Sequence, residues 1–308
     1  METTKHVINE ETPLSGPSGE KIDYRKWAVF LIFVAIIFTQ IFDVDVNLKA
    51  NIAQERTNLE EKVLPLDGIV LPVRWGDLGR QLVEKGVIDR DEFEALYAQS
   101  GGLDAQAQNL LYGENNSALE INAQNSGVIL NLLWAFGLAN KNPILDEGPM
   151  WDAQYGGDAG YFASTGGWTL AKGDAMDHYS HYSFVVLTPQ QQELIERVSR
   201  NIYRPCCGNS TYFPDCNHGM AMLGLLELLA AQGASEEDMY RMALQVNSYW
   251  FPDTYLTIAK YFAERGVAWK DINAKDVLGP GYSSAAGYQQ ILDEVESVQF
   301  RGGSSCGI

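Results

Sequence analysis

The sequence predicts a mainly α-helical exported domain behind a single N-terminal transmembrane helix, with one long loop rich in glycine and aromatic residues. Three observations carry this prediction. Residues 27–42 form an apolar run without a charged residue. Most segments after residue 77 repeat apolar residues at the three- and four-residue spacing of an amphipathic helix. Residues 142–183 interrupt that spacing with prolines, glycines and aromatic residues.

The apolar run has the composition of a membrane segment, because Thr39 and Gln40 are its only polar residues. As a helix it rises about 24 Å, slightly less than the roughly 30 Å of a bilayer core. Basic residues precede the run and acidic residues follow it, which predicts a cytoplasmic N-terminus. We therefore expect a single-pass protein of the cell membrane, with a disordered cytoplasmic tail over residues 1–26 and an extracytoplasmic main domain. The alternative is a cleaved signal peptide.

The charge balance narrows the choice of partners. The chain has 308 residues with 22 Lys and Arg against 40 Asp and Glu, a net charge of −18. Nucleic-acid binding requires a basic surface that neutralises phosphates, so this composition predicts no nucleic-acid partner. It suits a solvated exterior domain that attracts cations.

The chain after the membrane segment divides into three predicted parts. Residues 43–63 place apolar residues among polar ones, as is typical of a helical stalk, and Pro65 ends it. Residues 64–301 form the exported α-helical domain, which begins with short extended chain or loop up to residue 75. Residues 302–308 form a flexible tail that contains a cysteine.

Capping residues mark several helices of the exported domain. Thr188 followed by Pro189 predicts an N-cap with proline at the first helical position. Gly233 predicts the end of another helix. The predicted helices are a hairpin over residues 78–97, then Ser117–Asn140, Gln190–Tyr203, one capped by Asn217 or Asp215 that runs to Ala231, one opened by Ser235, one from Pro252 to Gly266, and Ser284–Gln299.

In the glycine- and aromatic-rich loop, these residues concentrate over residues 148–173, where no regular structure is predicted. A connection of this length inside an ordered domain is unusual, and such loops often carry function. The aromatic side chains offer a surface for a protein or glycan partner.

Candidate ligands for a metal ion concentrate in one short segment. Cys206, Cys207, Cys216 and His218 lie within it, and the fourth cysteine, Cys306, lies near the C-terminus. Thiolate and imidazole are the ligands of zinc, copper and iron centres. The predicted helix over Asn217–Ala231 places Cys216 and His218 at a positive helix N-terminus, which stabilises a thiolate. The segment therefore predicts a metal-thiolate centre of binding or redox role.

Two alternatives remain for the cysteines. Four cysteines outside the cytoplasm can form two structural disulfides, in which case the chain is a non-enzymatic surface protein. A strained disulfide between the adjacent Cys206 and Cys207 is labile, in which case the chain is an exported thiol–disulfide oxidoreductase.

Two further histidines, His178 and His181, are candidate ligands because they share one face if their segment is helical.

No enzyme motif in the sequence identifies a reaction. The chain lacks a P-loop and a dinucleotide fingerprint, and neither Ser164 nor Ser210 lies in a G-x-S-x-G element. The sequence thus predicts a site without predicting a reaction.

Overall fold

The computed structural model describes residues 24–300, with the backbone alone for residue 24 and residues 40–53. The described chain is mainly helical, which confirms the predicted class. Its strands are β1 (Ile69–Gly76) and β2 (Asn116–Ile121). Its helices are α1 (Tyr24–Val63), α2 (Leu78–Glu84), α3 (Arg90–Ala98), α4 (Ala105–Tyr112), α5 (Ser126–Ala139), α6 (Pro143–Glu147), α7 (Pro189–Ser199), α8 (Asn217–Ala231), α9 (Glu236–Trp250), α10 (Pro252–Ala263), α11 (Ala274–Leu278), α12 (Pro280–Ser283) and α13 (Ala285–Leu292).

The chain separates into two compact units, Met1–Glu55 and Arg56–Ile308. In the described part of the chain, no helix combines the length and the apolarity that a bilayer crossing needs. The anchor over residues 27–42 and its orientation therefore stay predictions. The predicted tail up to residue 23 and the C-terminal tail with Cys306 lie outside the described residues.

The start of the second unit agrees with one prediction and corrects another. The segment expected as extended chain or loop contains strand β1, which pairs antiparallel with β2, so that Ile69 lies opposite Ile121. The helix expected from Ser117 begins only at Ser126, after β2. The side chain of Asn122 accepts hydrogen bonds from the backbone N–H groups of Gln124 and Asn125. Such side-chain bonds favour a turn over a helix, and this turn ends the strand before α5 starts.

Helices α5 and α8 form the centre of the core, because nearly every residue of both is buried. They approach closely where two glycines face each other. A Cβ atom on Gly137 would lie 2.3 Å from the carbonyl oxygen of Met220. A Cβ atom on Gly224 would lie 2.6 Å from the carbonyl oxygen of Leu133. The contact therefore requires glycine in both helices.

Gly137→Ala is expected to destabilise the protein, because the added methyl group forces α5 and α8 apart in a packed core. Overpacking of this kind costs about 1–3 kcal/mol. Gly127→Ala is the matched control in the same helix, since a Cβ there meets no atom within 4 Å. The control is expected to stabilise by about 0.4–1 kcal/mol. Urea denaturation measures both, and equal effects of the two changes would contradict the proposed close contact.

The segment over residues 148–173 also departs from the prediction, because it contains regular structure. Three short 3₁₀ turns occupy Pro149–Trp151, Ala153–Tyr155 and Ala159–Tyr161. Trp168 is 3% exposed, and its indole N–H donates to the carbonyl of Val87 at 2.8 Å. Part of the aromatic content thus belongs to the core.

The helices around the cysteine segment begin close to their predicted starts. Thr188 and Gln191 form a capping box at the start of α7. Helix α8 ends at Ala231 as predicted, but its N-cap residue is Cys216 rather than Asn217 or Asp215. The predicted ends at Tyr203 and Gln299 are wrong, since α7 ends at Ser199 and α13 ends at Leu292.

Candidate metal centre

The adjacent cysteines lie in a turn that the surrounding backbone holds in place. The N–H of Cys207 donates to the carbonyl of Arg204 at 3.2 Å. The carbonyl of Cys207 accepts from the N–H of Ala285 at 3.0 Å. An isolated antiparallel bridge joins Tyr203 to Ser210 and closes the base of the turn. The backbone of the turn that carries both thiols is therefore fixed in part by Ala285, which lies far along the chain.

Cys216 is the N-cap residue of α8, with extended backbone angles of φ −123° and ψ 164°. Its carbonyl accepts from the N–H of Met220 at 3.0 Å, whereas its side chain makes no capping hydrogen bond. The sulfur thus lies at a helix N-terminus, whose partial positive charge stabilises a thiolate. This placement agrees with the helix start that the sequence predicts.

The distance between two of the sulfurs distinguishes a ligand pair from a covalent bond. The Sγ atoms of Cys206 and Cys216 are 3.7 Å apart. A disulfide bond is about 2.05 Å long. Two sulfurs bound at about 2.3 Å in tetrahedral geometry lie roughly 3.8 Å apart. The three described cysteines are all free thiols, so no two of them form a disulfide.

Two groups of ligand atoms form around Cys216. One joins Cys206, Cys216 and His218, and the other joins Cys207, Asp215 and Cys216. Within each group all ligand atoms lie within 4.8 Å of one another. The structure therefore brings the four predicted ligands of the cysteine segment together, and it adds a carboxylate.

His218 lies in the first turn of α8 and is 8% exposed. Its ring packs against Phe251 with a centroid distance of 4.4 Å, and against Trp250 at 5.8 Å. Among the described residues, its Nε2 has no hydrogen-bond partner. A buried nitrogen without a partner loses its solvation, at a cost of about 1–3 kcal/mol. A coordinated ion is one way to recover that cost.

A buried arginine beside the cysteines escaped the sequence analysis. The Arg204 side chain is 0% exposed and donates from Nη2 to Oδ1 of Asp215 at 2.7 Å. The other carboxylate oxygen of Asp215 accepts from Asn209 Nδ2 at 2.7 Å. Gly219 makes room for the guanidinium, since a Cβ there would lie 2.8 Å from Arg204 Cζ. Within the described chain, Nε and Nη1 of Arg204 have no hydrogen-bond partner.

The surroundings shift the pKa values of the thiols in opposite directions. Hydrogen bonds from the thiols of Cys206 and Cys207 hold the pKa of Cys216 well below its ordinary value, and His218 and Arg204 act in the same direction. Hydrogen bonds to Cys207 and Cys216 raise the pKa of Cys206. Burial acts to lower the pKa of Arg204, but the nearby thiols and Asp215 outweigh it and raise that pKa. Of the three thiols, Cys216 is therefore the one whose environment most favours the thiolate.

The histidines proposed as additional ligands do not join the cluster. The two ring nitrogens of His178 lie 3.0 Å from the hydroxyl of Tyr182 and 3.0 Å from the carbonyl of Lys172. His181 is exposed, and its ring contacts Tyr182. Neither histidine belongs to a group with the cysteines. Cys306 lies outside the described residues.

Comparison of the chain with protein-family models, with curated proteins and with solved structures gives no match. The function is therefore argued from the geometry of the cluster.

Proposed function

We propose that the chain carries a metal-thiolate centre in which Cys206, Cys216 and His218 bind one zinc, copper or iron ion. The observation that supports this most is the group of three ligand atoms within 4.8 Å of one another. Two of its members have sulfurs at the separation that a tetrahedral ion imposes. Its third member has a buried nitrogen without a partner among the described residues.

Zinc fits the donor set best. Two thiolates with one imidazole are a known zinc ligand set, and protein zinc sites are commonly tetrahedral. Three protein ligands leave one coordination position for water or substrate, which is the arrangement of catalytic rather than structural zinc. Because Cys206 is exposed, that position is accessible from solvent. The proposed role is therefore binding or reaction at an exchangeable position.

Metal analysis of the full-length chain, purified under reducing conditions, tests this proposal. The expected result is at least one equivalent of zinc, copper or iron, and loss of the ion from this group in Cys206→Ser and His218→Phe. Phenylalanine keeps an aromatic ring against Phe251 and removes both ring nitrogens. His181→Phe is the matched control and is expected to keep the full metal content. No metal in the wild-type protein, or equal metal in all three variants, would overturn the proposal.

A second candidate function is thiol–disulfide exchange. The exposed thiol of Cys206 lies 3.7 Å from the sulfur of Cys216, whose lowered pKa suits a reactive thiolate. This function predicts that mild oxidation removes two free thiols from the wild-type protein and none from Cys216→Ser. It also predicts that metal analysis finds no bound ion.

The cellular location stays a proposal as well. We propose that the helix over residues 27–42 anchors the chain in the cell membrane, with the cluster outside the cytoplasm. The uncharged run and its charged flanks support this. The large apolar side chains described there are exposed, from 45% at Val34 to 69% at Phe38. For the predicted partner surface over residues 148–173, support comes from Tyr161, which is 81% exposed.

A further inference from the structure

We propose that the cluster holds two metal ions that share the thiolate of Cys216, an inference that rests on the proposed metal centre. Cys206 and His218 complete the coordination of the first ion. Cys207 and Asp215 complete that of the second. The observation behind it is that Cys216 belongs to both ligand groups, whereas Cys206 and Cys207 belong to different ones.

The two adjacent cysteines belong to different ligand groups around Cys216. Cys206 is grouped with Cys216 and His218, and Cys207 is grouped with Cys216 and Asp215. A single ion therefore uses three of these ligands at their present positions and leaves the other two unused. A thiolate sulfur has lone pairs for two ions. Bonds of about 2.3 Å to a shared sulfur place the ions at the roughly 3.5–4 Å typical of two-metal sites.

Asp215 is held in the way that metal-binding carboxylates are held. Its Oδ1 accepts from Arg204 and its Oδ2 from Asn209, both at 2.7 Å. Each carboxylate oxygen has a second lone pair, so these bonds fix the orientation and leave acceptor capacity for an ion. Metal-bound carboxylates commonly have such supporting hydrogen bonds.

The charges of the cluster suit two cations. Three thiolates and one carboxylate supply four negative charges, and Arg204 supplies one positive charge that the protein buries completely. Two divalent ions bring the total to one positive charge. A single divalent ion on Cys206, Cys216 and His218, with Cys207 protonated, brings it to zero. Two ions thus leave only one charge uncompensated, and they use all the ligands that the fold assembles.

Titration of the metal-free, reduced full-length chain with Co²⁺ tests the inference. The expected stoichiometry is two equivalents for the wild-type protein, one for Cys207→Ser and one for Asp215→Asn. Glu237→Gln, an exposed carboxylate on α9, is the control and is expected to bind two. Electron paramagnetic resonance gives a second readout. Two Co²⁺ ions bridged by one sulfur couple, so the signal is expected to grow with the first equivalent and to weaken with the second.

The outcomes separate this inference from the proposed function. One equivalent in the wild-type protein, unchanged in Cys207→Ser, overturns the second site and leaves the metal centre intact. Two equivalents with simply additive signals overturn the shared sulfur. No binding overturns both proposals. If a variant fails to fold, the wild-type titration and its signal still decide.

Discussion

Replacing Glu227 with glutamine is expected to remove a loss of stability that the wild-type protein undergoes between about pH 5 and pH 8. Glu227 lies in α8 and is 0% exposed. Its carboxylate accepts from Asn140 Nδ2 at 3.0 Å and from Asn142 Nδ2. Both amides are held in place by backbone donors, since Val185 N–H bonds Asn140 Oδ1 and Ile144 N–H bonds Asn142 Oδ1. The partners of this buried acid are therefore neutral amides with fixed orientation.

Burial raises the pKa of Glu227 from 4.5 to about 8, and the two amides oppose the shift. Between these values the folded protein retains a proton that the unfolded chain releases. The free energy of unfolding therefore falls by about 1.4 kcal/mol for each pH unit of increase. The contribution is fully present below the unfolded pKa and is lost as the pH passes the folded pKa. Between the two pKa values, the free energy of unfolding falls in total by on the order of 5 kcal/mol.

Urea denaturation at pH 5 and pH 8 measures this effect. Glu227→Gln keeps the shape but has one acceptor oxygen for two amide donors, which costs about 1–3 kcal/mol at both pH values. Its stability relative to the wild-type protein is thus expected to rise by several kcal/mol from pH 5 to pH 8. The exposed Glu237→Gln serves as the control and should leave the difference unchanged. A constant difference between Glu227→Gln and wild type would show that Glu227 does not titrate in this range.

The sequence predicted features that depend on near neighbours in the chain. Thr188 caps α7 because its hydroxyl and Gln191 exchange bonds within a few residues. The cysteine cluster was found for the same reason, since Cys206 and Cys216 are close in sequence.

Features that depend on distant contacts were missed. The periodicity around β2 fits a helix as well as a strand, and its pairing with β1 decides between them. Glu227 sits in a run of leucines, and its partners Asn140 and Asn142 lie more than 80 residues away. His178 has the spacing of a ligand, yet the carbonyl of Lys172 and the hydroxyl of Tyr182 occupy its nitrogens. Spacing identifies a candidate ligand, whereas tertiary contacts decide whether it is available.

Replacing Arg204 with methionine is expected to destabilise the metal-free, reduced protein by about 3–5 kcal/mol at pH 7, because one partner of a buried ion pair is removed. The Arg204 side chain is 0% exposed and that of Asp215 is 19% exposed. Methionine fills the space of the arginine stem and leaves the carboxylate with Asn209 as its hydrogen-bond donor. Arg241→Met breaks an ion pair with Asp238 whose side chains are 63% and 40% exposed. This control is expected to cost less than about 1 kcal/mol.

A double-mutant cycle with Asp215→Asn shows whether the pair itself carries the effect. Asparagine needs no counter-charge, so Arg204→Met combined with Asp215→Asn is expected to be more stable than Arg204→Met alone. The pH dependence of the cost of Arg204→Met is an independent test. Burial already raises the pKa of Asp215, and loss of Arg204 raises it further, so the cost of Arg204→Met should shrink as acid neutralises the carboxylate. A cost that is independent of pH and unaffected by Asp215→Asn would mean that the ion pair with Asp215 does not carry the effect, and that Arg204 acts through its packing beneath Gly219 or through the neighbouring sulfurs.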